Sequence, residues 1–262
     1  AARRVLAHGG LRLHTLHTHI GTYILAPEAY GTAARKLLAL RDTIEHEGGH
    51  RVPCLNLGGG FPSASLLHGM AGTASQAVRP VDDYAEAIAA VLTRLPRARR
   101  PLLRLETGRH LVDEAGYLVT RIVAVKGAAL TPAREDDLAG LALKEQILSG
   151  IAPRTSYVLD AGIHLLYTAA WFRIEARPAR AGGSASVPSR LYGPLCMAID
   201  VVRERVDLPP MEAGDLLTLH PVGAYNSNQA MQFIHYRPAV VMVGTDGEAM
   251  LVKERETLAD LV

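Results

Sequence analysis

The chain has 262 residues, a hydrophobic content of 48% and a net charge of +2. That length fits one large domain or two modest ones with a sizeable core, and the balanced charge argues against nucleic acid or an anionic membrane surface as a partner. Cys54 and Cys196 lie too far apart for a disulfide framework or a zinc pattern, and the sequence predicts neither a membrane span nor a signal peptide. These features favour a cytoplasmic protein.

Three apolar stretches in the first half end in polar residues or glycine: Leu16–Thr22, Leu55–Pro62 and Leu105–Arg109. Between these stretches, apolar residues repeat at helical spacing, which predicts one helix from Pro27 to Gly48 and another over Val81–Leu95. The order strand, helix, strand, helix, strand predicts a parallel sheet. Ligands of such sheets bind at the carboxyl ends of the strands, so we expect the three polar clusters to converge there.

The character of the chain changes after Arg109, where β-branched and alternating segments dominate. The pattern predicts strands within Gly116–Ala129, Ser156–Gly162, Tyr192–Val202 and Gly214–Tyr225, a helix over Asp136–Leu148, a mobile loop over Arg177–Arg190 and a hairpin over Ala239–Glu254 that turns at Asp246–Gly247. We therefore predict an α/β domain over residues 1–110 and a mostly antiparallel β domain over residues 111–262.

Two of the polar clusters suit an anionic ligand. Gly58, Gly59 and Gly60 let the backbone approach a phosphate and direct amides at it, although a tight turn with positive φ requires the same residues. Arg109 has the planar fork that pairs with phosphate, and Glu106, as a buried glutamate close to an aromatic nitrogen, would hold that nitrogen protonated. A structural ion pair at the strand end is the alternative for these two residues.

Other candidate residues are more ambiguous. His17 and His19 have the strand spacing of two metal ligands, but the later strand ends offer no further ligands, so His17 fits a core histidine and His19 a site residue. Cys196 fits an inert apolar cysteine or a functional thiol, whereas Cys54 fits the core. Tyr225 fits a packed ring or a donor to a phosphate.

Six motifs in this order resemble the fold-type III pyridoxal-phosphate decarboxylases, which include the diaminopimelate, ornithine and arginine decarboxylases. They are HTHIGT, LNLGGGFP, LETGRHLV, VLDAG, GPLC and GDLLTLHPVGAY, and they extend from about Leu11 to the C-terminus. The resemblance implies a β/α barrel, of which this chain supplies the last three of eight strands, followed by a β domain. It also implies an amino acid substrate and a homodimer with shared active sites.

The resemblance assigns roles to individual residues. The residues it places on pyridoxal 5'-phosphate are His19, Thr22, Gly58, Gly59, Gly60, Glu106, Arg109 and Tyr225. His19 would stack on the cofactor ring and Glu106 would pair with the pyridine nitrogen, which makes the ring an electron sink. Cys196 would help to deliver a proton in the partner subunit's site, and Asp160 would lie near the substrate.

The sequence departs from the family pattern in three respects: at Thr107, at the positions that would read the distal end of the substrate, and at the lysine that binds the cofactor. Thr107 stands where the family usually has proline. Met197 replaces an acidic residue that reads the distal amine of the substrate, and Thr168 and Phe172 fall where diaminopimelate decarboxylases carry an arginine and a tyrosine. A distal charge against Met197 would be costly, which favours a related amino acid, conjugated or carrier-bound, over diaminopimelate itself.

The third departure concerns the lysine that binds the cofactor. The family carries it on an early barrel strand, and none of Lys36, Lys126, Lys144 and Lys253 has that context, so we expect it upstream of this chain. Two alternatives remain. One is a non-catalytic homologue that acts as a regulatory binding partner, and the other is a metal-dependent barrel hydrolase that uses His17 and His19.

Overall fold

A computed structural model describes residues 1–127, 155–180 and 186–260. The chain divides into two compact units, Ala1–Ala115 and Gly116–Val262, each with its own hydrophobic core. The predicted helix over Asp136–Leu148 lies outside the described residues. No helix in the described ranges is both long and apolar enough to cross a membrane.

The first unit contains a three-stranded parallel sheet, as predicted. Its strands are β1 (Thr15–His17), β2 (Cys54–Asn56) and β4 (Leu102–Arg104), in the order β1-β2-β4. His17, Asn56 and Arg104 are in register at the carboxyl ends. The other elements of this unit are α1 (Ala2–Leu6), α2 (Glu28–Gly48), β3 (Leu66–Leu67), α3 (Ala74–Ala77), α4 (Val81–Leu92) and α5 (Arg109–Val112).

The two long helices bury one face each, which agrees with their predicted periodicity. Helix α2 ends at Gly49, whose left-handed φ of 61° suits a C-cap, and helix α4 ends three residues before the predicted Leu95. Tyr30 of α2 stacks on Phe61, which follows β2, and Tyr84 of α4 packs edge to face against both of these rings. This aromatic cluster anchors the segment after β2 to both helices.

The second unit is built on a six-stranded sheet in the order β10-β9-β6-β5-β11-β8. All pairs are antiparallel except β6 with β9, so a mostly antiparallel β fold is confirmed. The strands of this unit are β5 (Leu118–Lys126), β6 (Thr155–Leu159), β7 (Phe172–Arg173), β8 (Glu175–Pro178), β9 (Val187–Tyr192), β10 (Val201–Leu208), β11 (Leu216–His220), β12 (Val240–Val243) and β13 (Ala249–Lys253).

The predicted loop over Arg177–Arg190 is wrong at both of its ends. Arg177 belongs to β8 and pairs with Thr218 of β11, and Arg190 belongs to β9 and pairs with Ser156 of β6. Both pairings join residues more than 30 positions apart. A composition rich in proline, glycine and serine does not reveal such long-range partners.

The predicted hairpin is confirmed as β12 and β13, and Gly247 takes the left-handed conformation at its turn with φ of 85°. The buried Glu256 closes its base, since its carboxylate accepts hydrogen bonds from Gln232 and from the backbone and guanidinium of Arg237. These bonds, first among them that from the Arg237 backbone N–H, lower the pKa of Glu256 to about 2. One charged residue thus ties together the two ends of this segment.

Candidate active site

The carboxyl ends of the three parallel strands bring three loops of the first unit together. The hydrogen-bond ladder continues past the strands, because the Thr18 N–H donates to the Asn56 carbonyl and the Leu57 N–H donates to the Arg104 carbonyl. The Glu106 N–H in turn donates to the Gly58 carbonyl at 2.8 Å. The predicted convergence of the three polar clusters therefore takes place within this unit.

The glycine loop, Gly58–Gly60, is enclosed by its two neighbours. A Cβ at Gly58 would lie 2.7 Å from the Thr18 carbonyl oxygen, and one at Gly59 or Gly60 would collide with the carbonyl oxygen of Glu106 or Gly21. Gly58 and Gly60 also have positive φ angles of 68° and 94°. The three glycines are thus required for packing, as the tight-turn interpretation predicts, whether or not a ligand binds.

Backbone groups of the glycine loop are held by side chains around it. The Tyr30 hydroxyl, fully buried, donates to the Gly59 carbonyl at 2.8 Å, and the Gly59 N–H donates to His19 Nδ1 at 3.3 Å. Because Nδ1 accepts this bond, the neutral imidazole carries its proton on Nε2. The exposed ring of His19 therefore rests on the glycine loop with its Nε2–H directed elsewhere.

Glu106 joins the ends of all three strands. Its Oε1 accepts a hydrogen bond from Asn56 Nδ2 at 2.6 Å, and its Oε2 lies 3.6 Å from Nε2 of His17. Asn56 Oδ1 in turn accepts from the Gly58 N–H at 2.9 Å. The Glu106 side chain is 55% exposed, so it is available to a ligand and is not the buried carboxylate that we expected.

His17 and His19 do not share a partner. His17 faces Glu106, whereas His19 accepts from the glycine loop. Across the described ranges there is no group of three His, Cys, Asp or Glu side chains placed to hold a metal ion. The geometry gives no support to the hydrolase alternative.

Arg109 is buried at the start of α5 and makes an ion pair. Its Nη1 donates to Asp113 Oδ2 at 3.2 Å. The short helix is also fixed to the segment after the glycine loop, because His110 Nδ1 lies 2.8 Å from the Pro62 carbonyl and the Ala64 N–H donates to Glu114. Arg109 therefore forms a structural ion pair with Asp113, whereas the ion-pair alternative joined it to Glu106, whose carboxylate faces Asn56 and His17.

Thr22 is exposed beside the buried Tyr23, which has a left-handed φ of 58°. Burial raises the pKa of the Tyr23 hydroxyl to about 12, and the nearby Arg109 opposes that rise. A left-handed backbone at a bulky residue is costly and is often found at functional loops. It aims the side chains of Thr22 and Tyr23 in different directions.

In the second unit, Cys196 and Met197 are exposed on the cysteine loop, Gly193–Asp200. Asp200 is 2% exposed and braces this loop, since its carboxylate accepts from the Ile163 N–H at 2.8 Å and from the Leu195 N–H at 2.7 Å. A Cβ at Gly193 would collide with the same carboxylate. The position of Cys196 thus depends on one buried charge.

Tyr225 lies on another braced loop of this unit. Its φ is 63° and its side chain is 45% exposed. The adjacent Asn226 is buried, accepts from both the backbone N–H and the hydroxyl of Thr168, and donates to the Val222 carbonyl. Asp160, in contrast, uses its Oδ1 within the sheet, where it accepts from Thr120 and from the Arg121 N–H.

Sequence reasoning missed the residues that hold the site residues in place: Tyr30, Asn56, Asp113, Asp200 and Asn226. Four of them are buried polar or aromatic residues, and each has at least one partner that is distant in sequence and that local spacing does not reveal. Asn56 is the exception. It is a polar residue at the last position of an apolar strand, and that placement was a usable signal.

This arrangement defines a class. The sequence model of the family described as "Pyridoxal-dependent decarboxylase, C-terminal sheet domain" matches residues 42–223. The chain belongs to this family. The match covers β2, β4 and most of the second unit, so it includes the glycine loop, Glu106 and the cysteine loop, whereas β1 and His19 lie before the matched range.

Among individual proteins, the chain is similar to diaminopimelate decarboxylases. The chain is 31% identical to a diaminopimelate decarboxylase of Actinosynnema pretiosum subsp. auranticum, over 100% of this chain and 53% of the relative. It is 26% identical to the diaminopimelate decarboxylase of Methanothermobacter thermautotrophicus, over 94% of this chain and 52% of the relative. The chain therefore spans about half the length of the curated relatives that it matches.

Solved structures agree with the fold. A crystal structure of diaminopimelate decarboxylase from M. jannaschii superposes with a TM-score of 0.78 at 25% identity, covering 100% of this chain and 54% of that one. A lysine/ornithine decarboxylase from Vibrio vulnificus, complexed with cadaverine, gives 0.64 at 25% identity, with coverage of 85% and 52%. Both units of the chain thus have their fold in known decarboxylases.

Proposed function

We propose that this chain is the C-terminal part of a pyridoxal-phosphate-dependent amino acid decarboxylase, and that β1, β2 and β4 are the last three strands of its β/α barrel. The observation that carries the proposal is the meeting of His19, the glycine loop and Glu106 at the carboxyl ends of these strands. An imidazole, a backbone turn and an accessible carboxylate suit an aromatic cofactor. The buried guanidinium of Arg109 suits its phosphate.

The cofactor supplies an electron sink for the carbanion left by decarboxylation. In the first unit, the imidazole of His19 presents one face to the cofactor ring, and the hydrogen bond from the Gly59 N–H fixes its tautomer. Glu106 offers a carboxylate to the pyridine nitrogen. Thr22, the glycine loop and Arg109 bind the phosphate. In the second unit, Tyr225 is a further phosphate donor, and Asp160 lies near the substrate.

Cys196 is the proposed proton donor, and its exposure on the braced cysteine loop supports that role. We propose that it acts in the site of a second subunit of a homodimer. Both cysteines are free, which supports a reducing, cytoplasmic location.

The proposed substrate is an amino acid whose distal end carries no free charge, such as a conjugated relative of diaminopimelate. Met197 is exposed and uncharged where an acidic residue would read an amine. Thr168 is buried, and its hydroxyl donates its one hydrogen to Asn226, so that donor is not available to a distal carboxylate. A charged end would therefore lack partners.

The lysine that the family joins to the cofactor is proposed to lie outside this chain. Of the lysines in the described ranges, Lys36 lies in α2, Lys126 ends β5 and Lys253 ends β13. None of these three is at the end of a parallel strand. Lys144 lies outside the described residues.

The test is a fluorescence titration of the purified chain with pyridoxal phosphate and, as the matched control, with pyridoxal. We expect the phosphate to tighten binding at least about tenfold, because a buried guanidinium and a glycine turn recognise it. His19→Ala and Glu106→Gln should weaken binding of both ligands. Equal affinity for the two ligands, or no binding of either, would overturn the proposal.

Activity is tested separately by release of carbon dioxide from diaminopimelate and from its N-acylated derivative by the longer protein that contains this chain. We expect the acylated compound to be preferred. Preference for free diaminopimelate would contradict the substrate proposal and leave the cofactor proposal standing.

A further inference from the structure

A buried polar cluster, here called the Asp113 cluster, lies directly after the glycine loop in the first unit. Asp113 is 1% exposed, and its Oδ2 accepts from Ser63 Oγ at 2.5 Å, from Ser65 Oγ at 2.7 Å and from Arg109 Nη1 at 3.2 Å. All three bonds end on the same carboxylate oxygen. The cluster therefore joins the segment after the glycine loop to the arginine proposed to bind phosphate.

The cluster is rigidly connected to its surroundings. Arg109 and Asp113 are four residues apart on one helical turn, and their side chains are 8% and 2% exposed. The neighbouring Glu114 accepts from the Ala64 N–H, and His110 contacts the Pro62 carbonyl. Arg109 thus cannot move far from Asp113 without breaking several bonds to the segment that follows the glycine loop.

This pairing has an electrostatic consequence. A guanidinium and a carboxylate at 3.2 Å form a nearly neutral pair, so the attraction of Arg109 for a second anion is offset by repulsion from Asp113. Burial weakens the screening of both effects by water. A phosphate dianion would therefore bind less tightly here than a buried arginine alone implies.

We propose that Asp113 sets the affinity of this chain for a phosphate-bearing ligand, by acting as an internal counter-anion for Arg109. The proposal rests on the proposed role of Arg109 in phosphate binding. Asp113 is then a positioning residue with two effects. It holds the guanidinium of Arg109 in place when no phosphate is bound, and it lowers the affinity of Arg109 for phosphate. A purely structural ion pair would have only the first of these effects.

Asp113→Asn separates the two effects, because an asparagine oxygen in the place of Oδ2 keeps an acceptor for these three hydrogen bonds and removes the negative charge. We expect the variant to be less stable without ligand, since Arg109 loses its counter-charge. We expect it to bind pyridoxamine 5'-phosphate about tenfold more tightly, since the repulsion is gone. Its affinity for pyridoxamine, which lacks the phosphate, should not change.

The experiment measures dissociation constants by fluorescence and ligand-induced shifts in melting temperature, using the full 262-residue chain and both ligands. Glu114→Gln is the matched control, because it removes a carboxylate one residue away that is exposed and screened by solvent. It should alter the affinity for pyridoxamine 5'-phosphate less than twofold. Ligand-induced stabilisation should be larger in Asp113→Asn than in the unchanged chain.

A second variant covers the case in which Asp113→Asn does not fold. Ser65→Ala keeps the carboxylate but removes one of its hydroxyl donors, so more of the charge acts on Arg109, and we expect a two- to threefold weaker affinity for pyridoxamine 5'-phosphate. Unchanged or weaker binding in Asp113→Asn, or tighter binding in Ser65→Ala, would overturn the inference. Failure of the unchanged chain and of both variants to bind the ligand would overturn the proposed function as well.

Discussion

The glycine loop of the first unit and the cysteine loop of the second both contain glycines that leave no room for a Cβ atom. The atoms that occupy the space beside these glycines differ between the two loops. Carbonyl oxygens of two neighbouring loops close over Gly58–Gly60. A single carboxylate, that of Asp200, closes over Gly193 and holds the Leu195 N–H. The first loop therefore depends on the absence of side chains, and the second on one particular side chain.

The largest effect should come from adding a methyl group to the glycine loop. Gly60→Ala combines a left-handed φ of 94° with a collision against the Gly21 carbonyl, so we expect a loss of about 3 kcal/mol or more in the free energy of unfolding. Urea denaturation measures it. Gly49→Ala is the matched control, because its φ of 61° is also left-handed but its Cβ would meet no atom within 4 Å, and it should cost only about 1 kcal/mol.

Removing the brace of the cysteine loop should have the next largest effect. Asp200→Ala leaves the Ile163 and Leu195 N–H groups without their acceptor, and we expect a loss of about 2–4 kcal/mol. The rate of Cys196 alkylation by iodoacetamide should change as well, because the loop is released. If both stability and alkylation stay as in the unchanged chain, the loop is held by other contacts.

A smaller effect is expected at the accessible end of the first unit. Glu106→Gln keeps an oxygen for Asn56 and loses only a half-exposed charge, so the free energy of unfolding should fall by less than about 1 kcal/mol. Thermal unfolding checks this. A loss as large as that of Asp200→Ala would mean that Glu106 holds the strand ends together and is not kept for a ligand.

The last effect is confined to acid pH and concerns Glu256, whose hydrogen bonds support the hairpin segment. Its folded-state pKa of about 2 lies below the ordinary value of 4.5, so its contribution is fully present above pH 4.5 and is lost as the pH falls towards 2. Hydrogen exchange of β12 and β13 should therefore accelerate over that range. Glu256→Gln should remove this pH dependence, and an unaltered profile in that variant would contradict the assignment.

Sequence reasoning succeeded where a property repeats locally. The spacing of apolar residues in α2 and α4 and the alternation in β5 were sufficient to place those elements. It failed where function depends on a distant partner. Arg109 and Asp113 have the i,i+4 spacing of a helical ion pair, but Ser63 is 50 residues from Asp113, and no local pattern indicates that the fold buries it with them.

The same limit explains why the candidate site was predicted only in outline. His19, the glycine loop and Glu106 could be grouped because each follows a strand of one parallel sheet. The half-exposed state of Glu106 and the burial of the Arg109–Asp113 pair depend on how the loops pack. The spacing of residues along the chain does not predict that packing.

The enclosure of the glycine loop changes what a triple glycine says about a related protein. Because backbone oxygens of adjoining loops occupy the space beside Gly59 and Gly60, selection for folding alone would keep these positions unaltered. A related protein that had lost catalytic activity would still keep the triple glycine. Exposed side chains that the fold does not require, such as Glu106 and Cys196, are better evidence that a related protein is catalytically active.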